Sequence, residues 1–307
     1  MSAGIRSRGG FALGAVLWVL VISTVLAGAA ALQGRSAFEA SRNRVSAERA
    51  YWLAEGCVSE AREMIDRALA DTPPTRLDAS WRTIDTLVAA FQPSTPDCNV
   101  TLTSVGGAID VNGASEALLR KYFGNAVPSA TADALTDALL DWRDADDSVR
   151  ASGAERAWYV ANRQPVPRND SLVSIEELRL VRGLDARPDL LAYLTVEPSR
   201  VCLTTAPAAV LAALPGFTDV TVGQVLADRA AGLRFGDLNM LRGRLPQAES
   251  ESLLVHFQEL ATMTTVEPDG WVLRISAASG APPITAVAEL RLDRYGSRTV
   301  VVRRRTL

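Results

Sequence analysis

The chain has 307 residues, 48% of them hydrophobic and 22% charged, a balance that supports a packed core and excludes a disordered chain. A net charge of −3 makes broad phosphate binding a poor fit. One histidine (His256) and three cysteines without C-x-x-C spacing (Cys57, Cys98, Cys202) remove most hydrolase triads and make a zinc site a poor fit.

Residues 1–10 are short, polar and basic, with Arg6 and Arg8, and end in Gly9-Gly10. Phe11 to Leu32 then runs without a charge, long enough to cross a hydrocarbon layer of roughly 30 Å as a helix. Three readings compete: a cleavable secretory signal cut near Ala27-Gly28-Ala29, an ordinary anchor, or a leader cut between Gly10 and Phe11 that leaves the apolar segment attached. The following sequence decides among them. There is no proline until Pro73, and Ala47, Tyr51, Ala54, Val58, Ala61, Ile65 and Ala68 recur at alternating spacings of four and three. A removable signal has no reason to feed such a stripe, although a soluble coiled coil would also show one. The sequence therefore predicts one helix of about 60 residues, near 90 Å long, with 11–32 in lipid and 33–70 in water. Its apolar face is expected to be shared between its own sheet and a neighbouring subunit.

Pro73, Pro74, Pro93 and Pro96 mark an exit into loops. Asn99–Ser104 and Ala108–Val111 read as strands around Gly106-Gly107, a hairpin signal. Residues 112–258 carry helical pattern. Trp271–Ala277, Ile284–Leu292 and Arg298–Arg303 then alternate apolar and polar residues, as in an antiparallel meander. The expected architecture is α+β: 71–111 and 259–307 form one sheet interrupted by an all-helical insertion, 112–258. Within the insertion, the phrase from Asn112 to Gly124 repeats 92 residues on, from Thr204 to Gly216, with a related phrase at Ser174–Gly183. Each copy carries a small polar cap and a closing glycine. Cys98 and Cys202 both lie near strand starts, which slightly favours a Cys98–Cys202 bridge over Cys57–Cys98. The closing Arg303-Arg304-Arg305 reads as a solvated tail.

Several words of this sequence resemble the minor pseudopilin K of the type II (general) secretion pathway. They are Gly10-Phe11 before the apolar span, Ala50-Tyr51-Trp52-Leu53-Ala54-Glu55-Gly56, Asp141 through Asp147, Gly153-Ala154-Glu155, Ser174 through Gly183, and Thr205 through Leu211. The resemblance runs from the leader to about residue 216. It implies a pilin-like fold in which a long helix packs on an antiparallel sheet, with a large helical insertion holding two helix-hairpin-helix or SAM-like repeats. It also implies cleavage after Gly10 by the prepilin peptidase, methylation of Phe11, and a single-pass place in the bacterial inner membrane with the bulk in the periplasm. The expected partners are the other minor pseudopilins at the tip of a pseudopilus. Ala15 departs from the glutamate most pilins carry there; a carboxylate in lipid needs a partner, and a subunit at the tip has no neighbour above it to satisfy.

The best ligand candidates are Asp137, Asp141, Asp144, Asp146, Asp147 and Glu155. Hard divalent cations take six to eight oxygens, several of them carboxylate, and relatives in the family bind calcium in this insertion, so a calcium site on Asp141, Asp144, Asp146, Asp147 and Glu155 is expected. A solvated acidic loop paired with Arg143, Arg150 and Arg156 is the other reading. Leu214-Pro215-Gly216-Phe217-Thr218 with the helix after it resembles a helix-hairpin-helix of competence DNA receptors, which supplies an alternative: a membrane-anchored DNA binder. Thr218 stands where a second glycine belongs, and the surroundings are not basic, so no nucleic-acid partner is expected. No nucleophile–base set points to an enzyme.

Overall fold

The computed structural model describes residues 9–70, 93, 97–233, 236–296 and 298–306, with side chains from residue 13 onward. The leader residues 1–8 and the loop signals Pro73, Pro74 and Pro96 lie outside these.

A single helix, α1 (Gly9–Ala70), spans 62 residues, about 90 Å at 1.5 Å per residue. Every described side chain from Leu13 to Val45 is exposed. Burial begins at Ser46 and continues through Ala50, Ala54, Cys57, Val58, Ala61, Ile65, Ala68 and Leu69. The sheet-facing stripe is therefore shifted from the expected one: Ala47 and Tyr51 are exposed, because the face that meets the sheet passes through Ser46 and Ala50 instead. Small side chains at positions 46, 50, 54 and 57 let the helix lie close to the strands.

Four strands form the main sheet: β1 (Cys98–Ser104), β6 (Gly270–Ser279), β7 (Ile284–Tyr295) and β8 (Arg298–Thr306), in the order β1-β6-β7-β8 and antiparallel throughout. Trp271, Leu273, Ile275 and Ala277 of β6 and Ala288, Leu290 and Leu292 of β7 point at α1 and complete one core with it. At the end of this core nearest the exposed half of α1, Gly280 (φ 92°) in the β6–β7 turn packs on Ser46; a Cβ there would strike the Ser46 hydroxyl.

A disulfide joins Cys57 of α1 to Cys98 at the start of β1 (Cα–Cα 6.8 Å), while Cys202 is a buried free thiol. This corrects the expected Cys98–Cys202 pairing. Cys57 lies on the sheet-facing stripe where β1 begins, whereas Cys202 sits inside the helical block beside Thr204. Losing a native bridge typically costs about 2–5 kcal/mol. Reduction or Cys57→Ala should therefore lower the melting temperature by several degrees, and Cys202→Ala should leave the non-reduced gel mobility unchanged; a mobility shift in Cys202→Ala alone would contradict this pairing.

Between β1 and β6 the chain builds a block with its own core, centred on Phe123, Leu139, Trp142, Tyr159, Leu178 and Leu211. It comprises β2 (Ile109–Asp110), α2 (Glu116–Gly124), α3 (Ser129–Arg143), α4 (Arg156–Ala161), a 3-10 turn (Ile175–Leu180), α5 (Pro188–Leu191), β3 (Leu194–Thr195), β4 (Val201–Cys202), α6 (Ala208–Ala213), α7 (Asp219–Ala230), α8 (Leu238–Arg242), α9 (Gln247–Val255), α10 (Phe257–Met263) and β5 (Thr264–Thr265). The insertion is thus larger than 112–258 and not all-helical. The expected hairpin around Gly106 does not form, because β2 pairs in parallel with β3 rather than with β1. Gly106 (φ 89°) turns the chain there and lies so close to Arg200 and Cys202 that no side chain fits.

The sequence repeat has a structural counterpart. Ala114 N–H donates to Asp110 C=O (2.9 Å), and Ala206 N–H to Cys202 C=O (2.8 Å). Val111 N–H reaches Thr195 on β3, and Leu203 N–H reaches Thr265 on β5. An arginine from the second helix closes each unit: Arg143 donates to the carbonyls of Val111 and Ala114, and Arg229 to those of Leu203 and Ala206. The related phrase at Ser174–Gly183 folds instead as the 3-10 turn.

Candidate functional site

Helix α3 ends at Asp144, whose extended backbone (φ −78°, ψ 169°) sends the chain into a loop that returns at Glu155, the residue before α4. The two carboxylates meet across that loop, and Asp144, Asp146 and Glu155 offer oxygens within 4.8 Å of one another. Gly153 permits the close return, since a Cβ there would run into the Asp141 carboxylate.

Glu155 is only 4% exposed, and among the described residues neither of its side-chain oxygens makes a well-formed hydrogen bond. Burial, with Asp141 and Asp144 nearby, pushes its carboxyl up to about 7. Asp144 is raised by burial and by Asp146, and its buried Oδ1 also lacks a partner. Asp146 is exposed and held below the usual range because it accepts the Ser148 N–H (2.8 Å).

The remaining acids of the expected set are turned elsewhere. Asp141 is fully buried and accepts the Arg150 N–H, with the Arg150 guanidinium 3.3 Å away. Asp137 accepts the Ser152 N–H (3.0 Å) and faces Arg120 (3.2 Å). Asp147 accepts from the Asn169 amide (2.9 Å). Of the five residues expected to hold calcium, Asp141 and Asp147 are thus turned to donors of the protein itself, and three converge, with the Arg150 guanidinium also 3.5 Å from Asp144. Carboxylate oxygens alone, one of them exposed, suit a hard oxygen-seeking cation rather than zinc or copper.

The hairpin at Leu214–Thr218 does not present a phosphate cradle. Leu214 and Phe217 are buried, and Gly216 (φ 70°) packs against the Ser252 carbonyl and His256. The carbonyls of Leu214 and Phe217 are filled by Lys121 Nζ (2.6 and 2.8 Å). The turn joins the two repeat units and is consumed by protein packing.

On α1, Phe38, Val45 and Trp52 recur every seven residues and so share one face, roughly opposite the sheet. Phe38 and Trp52 are each 69% exposed, and Trp52 stacks edgewise on Tyr51 (5.3 Å). Sequence reasoning missed this seam, since it attended to the stripe that meets the sheet; the seven-residue spacing was the available signal. It also missed that Arg303, Arg304 and Arg305 lie in β8 rather than in a tail. Strand alternation sends Arg304 to Glu55 of α1, and Arg303 and Arg305 to Glu197 and the Val173 carbonyl of the block.

The fold is α+β: an exposed apolar half-helix long enough to cross a membrane, a second half packed on an antiparallel sheet, and a helical block set between strands of that sheet. Residues 103–199 match the family model of type II secretion system (T2SS), protein K. The type II secretion system protein K of Klebsiella pneumoniae is 28% identical over 252 residues, covering 74% of this chain and 76% of that protein. The GspK-GspI-GspJ complex of the enterotoxigenic Escherichia coli type 2 secretion system contains a chain with the same fold (TM-score 0.63, 19% identity), covering 87% of this chain and 99% of that one. The chain is thus similar to type II secretion system protein K, the family its sequence words resemble.

Proposed function

We propose that this protein is a structural minor pseudopilin, not an enzyme, at the tip of a type II secretion pseudopilus, where it supports pseudopilus assembly and protein export. The observation that carries the reading is α1 itself, bare for half its length and fastened to a sheet for the rest. On this reading the bare half lies in the inner membrane after the prepilin peptidase cuts at Gly10 and Phe11 is methylated, and the body stands in the periplasm. Ala15 supports the tip position, because no carboxylate there awaits an amine from a subunit above. The two repeat units are read as helix-hairpin-helix-like modules turned to protein docking.

The partners follow from the seam of Phe38, Val45 and Trp52. It is continuous with the apolar half of α1, so the helix that covers it belongs to another minor pseudopilin anchored beside this one. Replacing Phe38 and Trp52 with glutamate should reduce co-purification with the other minor pseudopilins at least tenfold while leaving the melting temperature of the isolated protein unchanged. Retention of full co-purification would remove the seam from the interface.

The acidic pocket supports a second element of the proposal: a calcium ion held by Asp144, Asp146 and Glu155. Three carboxylates converge where one of them is buried without a donor, a charge arrangement that a divalent cation neutralises. A bound ion would supply charge compensation and fix the 144–155 loop. The role is structural.

A further inference from the structure

Asn169 lies between α4 and the 3-10 turn in the left-handed conformation (φ 53°), uncommon for a residue with a side chain. Its Nδ2 donates to the Asp146 carbonyl (2.7 Å) and to the Asp147 carboxylate (2.9 Å), and its Oδ1 has no hydrogen-bond partner among the described residues. A few residues on, the Leu172 N–H and C=O are both held by the Asn112 amide (2.9 Å each), and the Val173 N–H donates to Glu177 (3.1 Å). The Val173 carbonyl accepts from Arg305 of β8 (2.7 Å). Segment 169–173 therefore has one end on the acidic loop and the other on the last strand. The neighbours of Arg305 extend the chain of contacts, with Arg304 on Glu55 of α1 and Arg303 on Glu197 of the block.

We infer that Asn169 is a positioning residue that carries occupancy of the acidic pocket to strand β8, so that a divalent cation there tightens the hold of the helical block on the sheet and α1. The inference rests on the cation reading above. Without a cation, the carboxylates of Asp144, Asp146 and Glu155 repel one another, offset in part by the Arg150 guanidinium 3.5 Å from Asp144, and the loop they share is the loop that Asn169 grips. Neutralising them fixes residues 146–147 and, through the amide of Asn169, a segment already pinned at Leu172 and Val173. A ligand shifts such an arrangement only by binding its two states differently, and the linkage is reciprocal: cutting the contact at β8 must weaken cation binding in turn.

Hydrogen–deuterium exchange on the full chain in detergent, with calcium chloride or with EGTA, tests this. Calcium should slow exchange roughly tenfold in both 141–155 and 298–306. Asn169→Ala should keep the response in 141–155 and lose it in 298–306. Arg305→Ala should do the same and weaken calcium binding by roughly threefold to tenfold. A merely structural role for Asn169 would change exchange equally with and without calcium and leave the difference intact. A wild-type response confined to 141–155 overturns the inference and spares the cation site, as does an Asn169→Ala protein that still responds in both regions. Absence of any response in 141–155 removes the cation site and the inference with it.

Discussion

Replacing Gly10 with leucine is expected to leave the leader attached and to reduce export to the level of a strain lacking the gene. The reasoning rests on the junction Gly10-Phe11, where a short basic segment meets an apolar helix that continues unbroken to Ala70. If that helix is the anchor, its removal would detach the protein, so the only productive cut lies before Phe11. A bulky side chain at the residue preceding the cut obstructs the peptidase, and the basic leader then remains at the end of the apolar span. Intact-mass measurement on membrane protein gives the answer. Wild type should begin at N-methyl-Phe11, and Gly10→Leu at its initiator. A wild-type protein beginning near Ala30 would identify a secreted protein with a discarded signal and sink the pseudopilin assignment.

The second large effect concerns calcium. At a free concentration about a hundred times its dissociation constant, a ligand that binds only the folded state stabilises it by about 2.7 kcal/mol. For a body of this size that corresponds to a rise in melting temperature of roughly 5–10 °C over a chelated sample. Glu155→Gln separates the two readings of the acidic cluster. In chelator it should raise the melting temperature, because it removes a buried carboxylate that no donor satisfies. In calcium it should lose most of the ion's effect, because it removes a ligand. A solvated acidic loop predicts the same melting temperature in calcium and in chelator for both proteins.

Much of the fold was legible because it is written in period. The uncharged run from Phe11, the apolar positions at 54, 58, 61 and 65, and the alternation of β6, β7 and β8 each depend on neighbours near in sequence. What could not be read depends on distant partners. The hairpin expected around Gly106 failed because the hydrogen bonds of β2 are completed by residues 193–195, more than eighty positions away. Cys98 looked as close to Cys202 as to Cys57 because no local pattern records that β1 starts beside the sheet-packed half of α1. The acidic set was found as a composition, but its division was not: Arg150, Ser152 and Asn169 draw Asp141, Asp137 and Asp147 away, while Asp144, Asp146 and Glu155 converge, Asp144 on the edge of Arg150 (3.5 Å) and Asp146 accepting the Ser148 N–H. The seven-residue seam on α1 was present in the sequence and became visible once the opposite face was known to meet the sheet.

The contact between Gly280 and Ser46 sets a height. The last residue of the uncharged run is Leu32, and the body begins at Ser46, so some thirteen residues of bare helix separate lipid from fold, about 20 Å. That gap exceeds the thickness of a headgroup layer. With residues 11–32 in lipid, as proposed, the sheet and block would ride clear of the bilayer like a canopy on a mast, with an open storey beneath them tall enough for the rods of adjacent subunits to draw alongside.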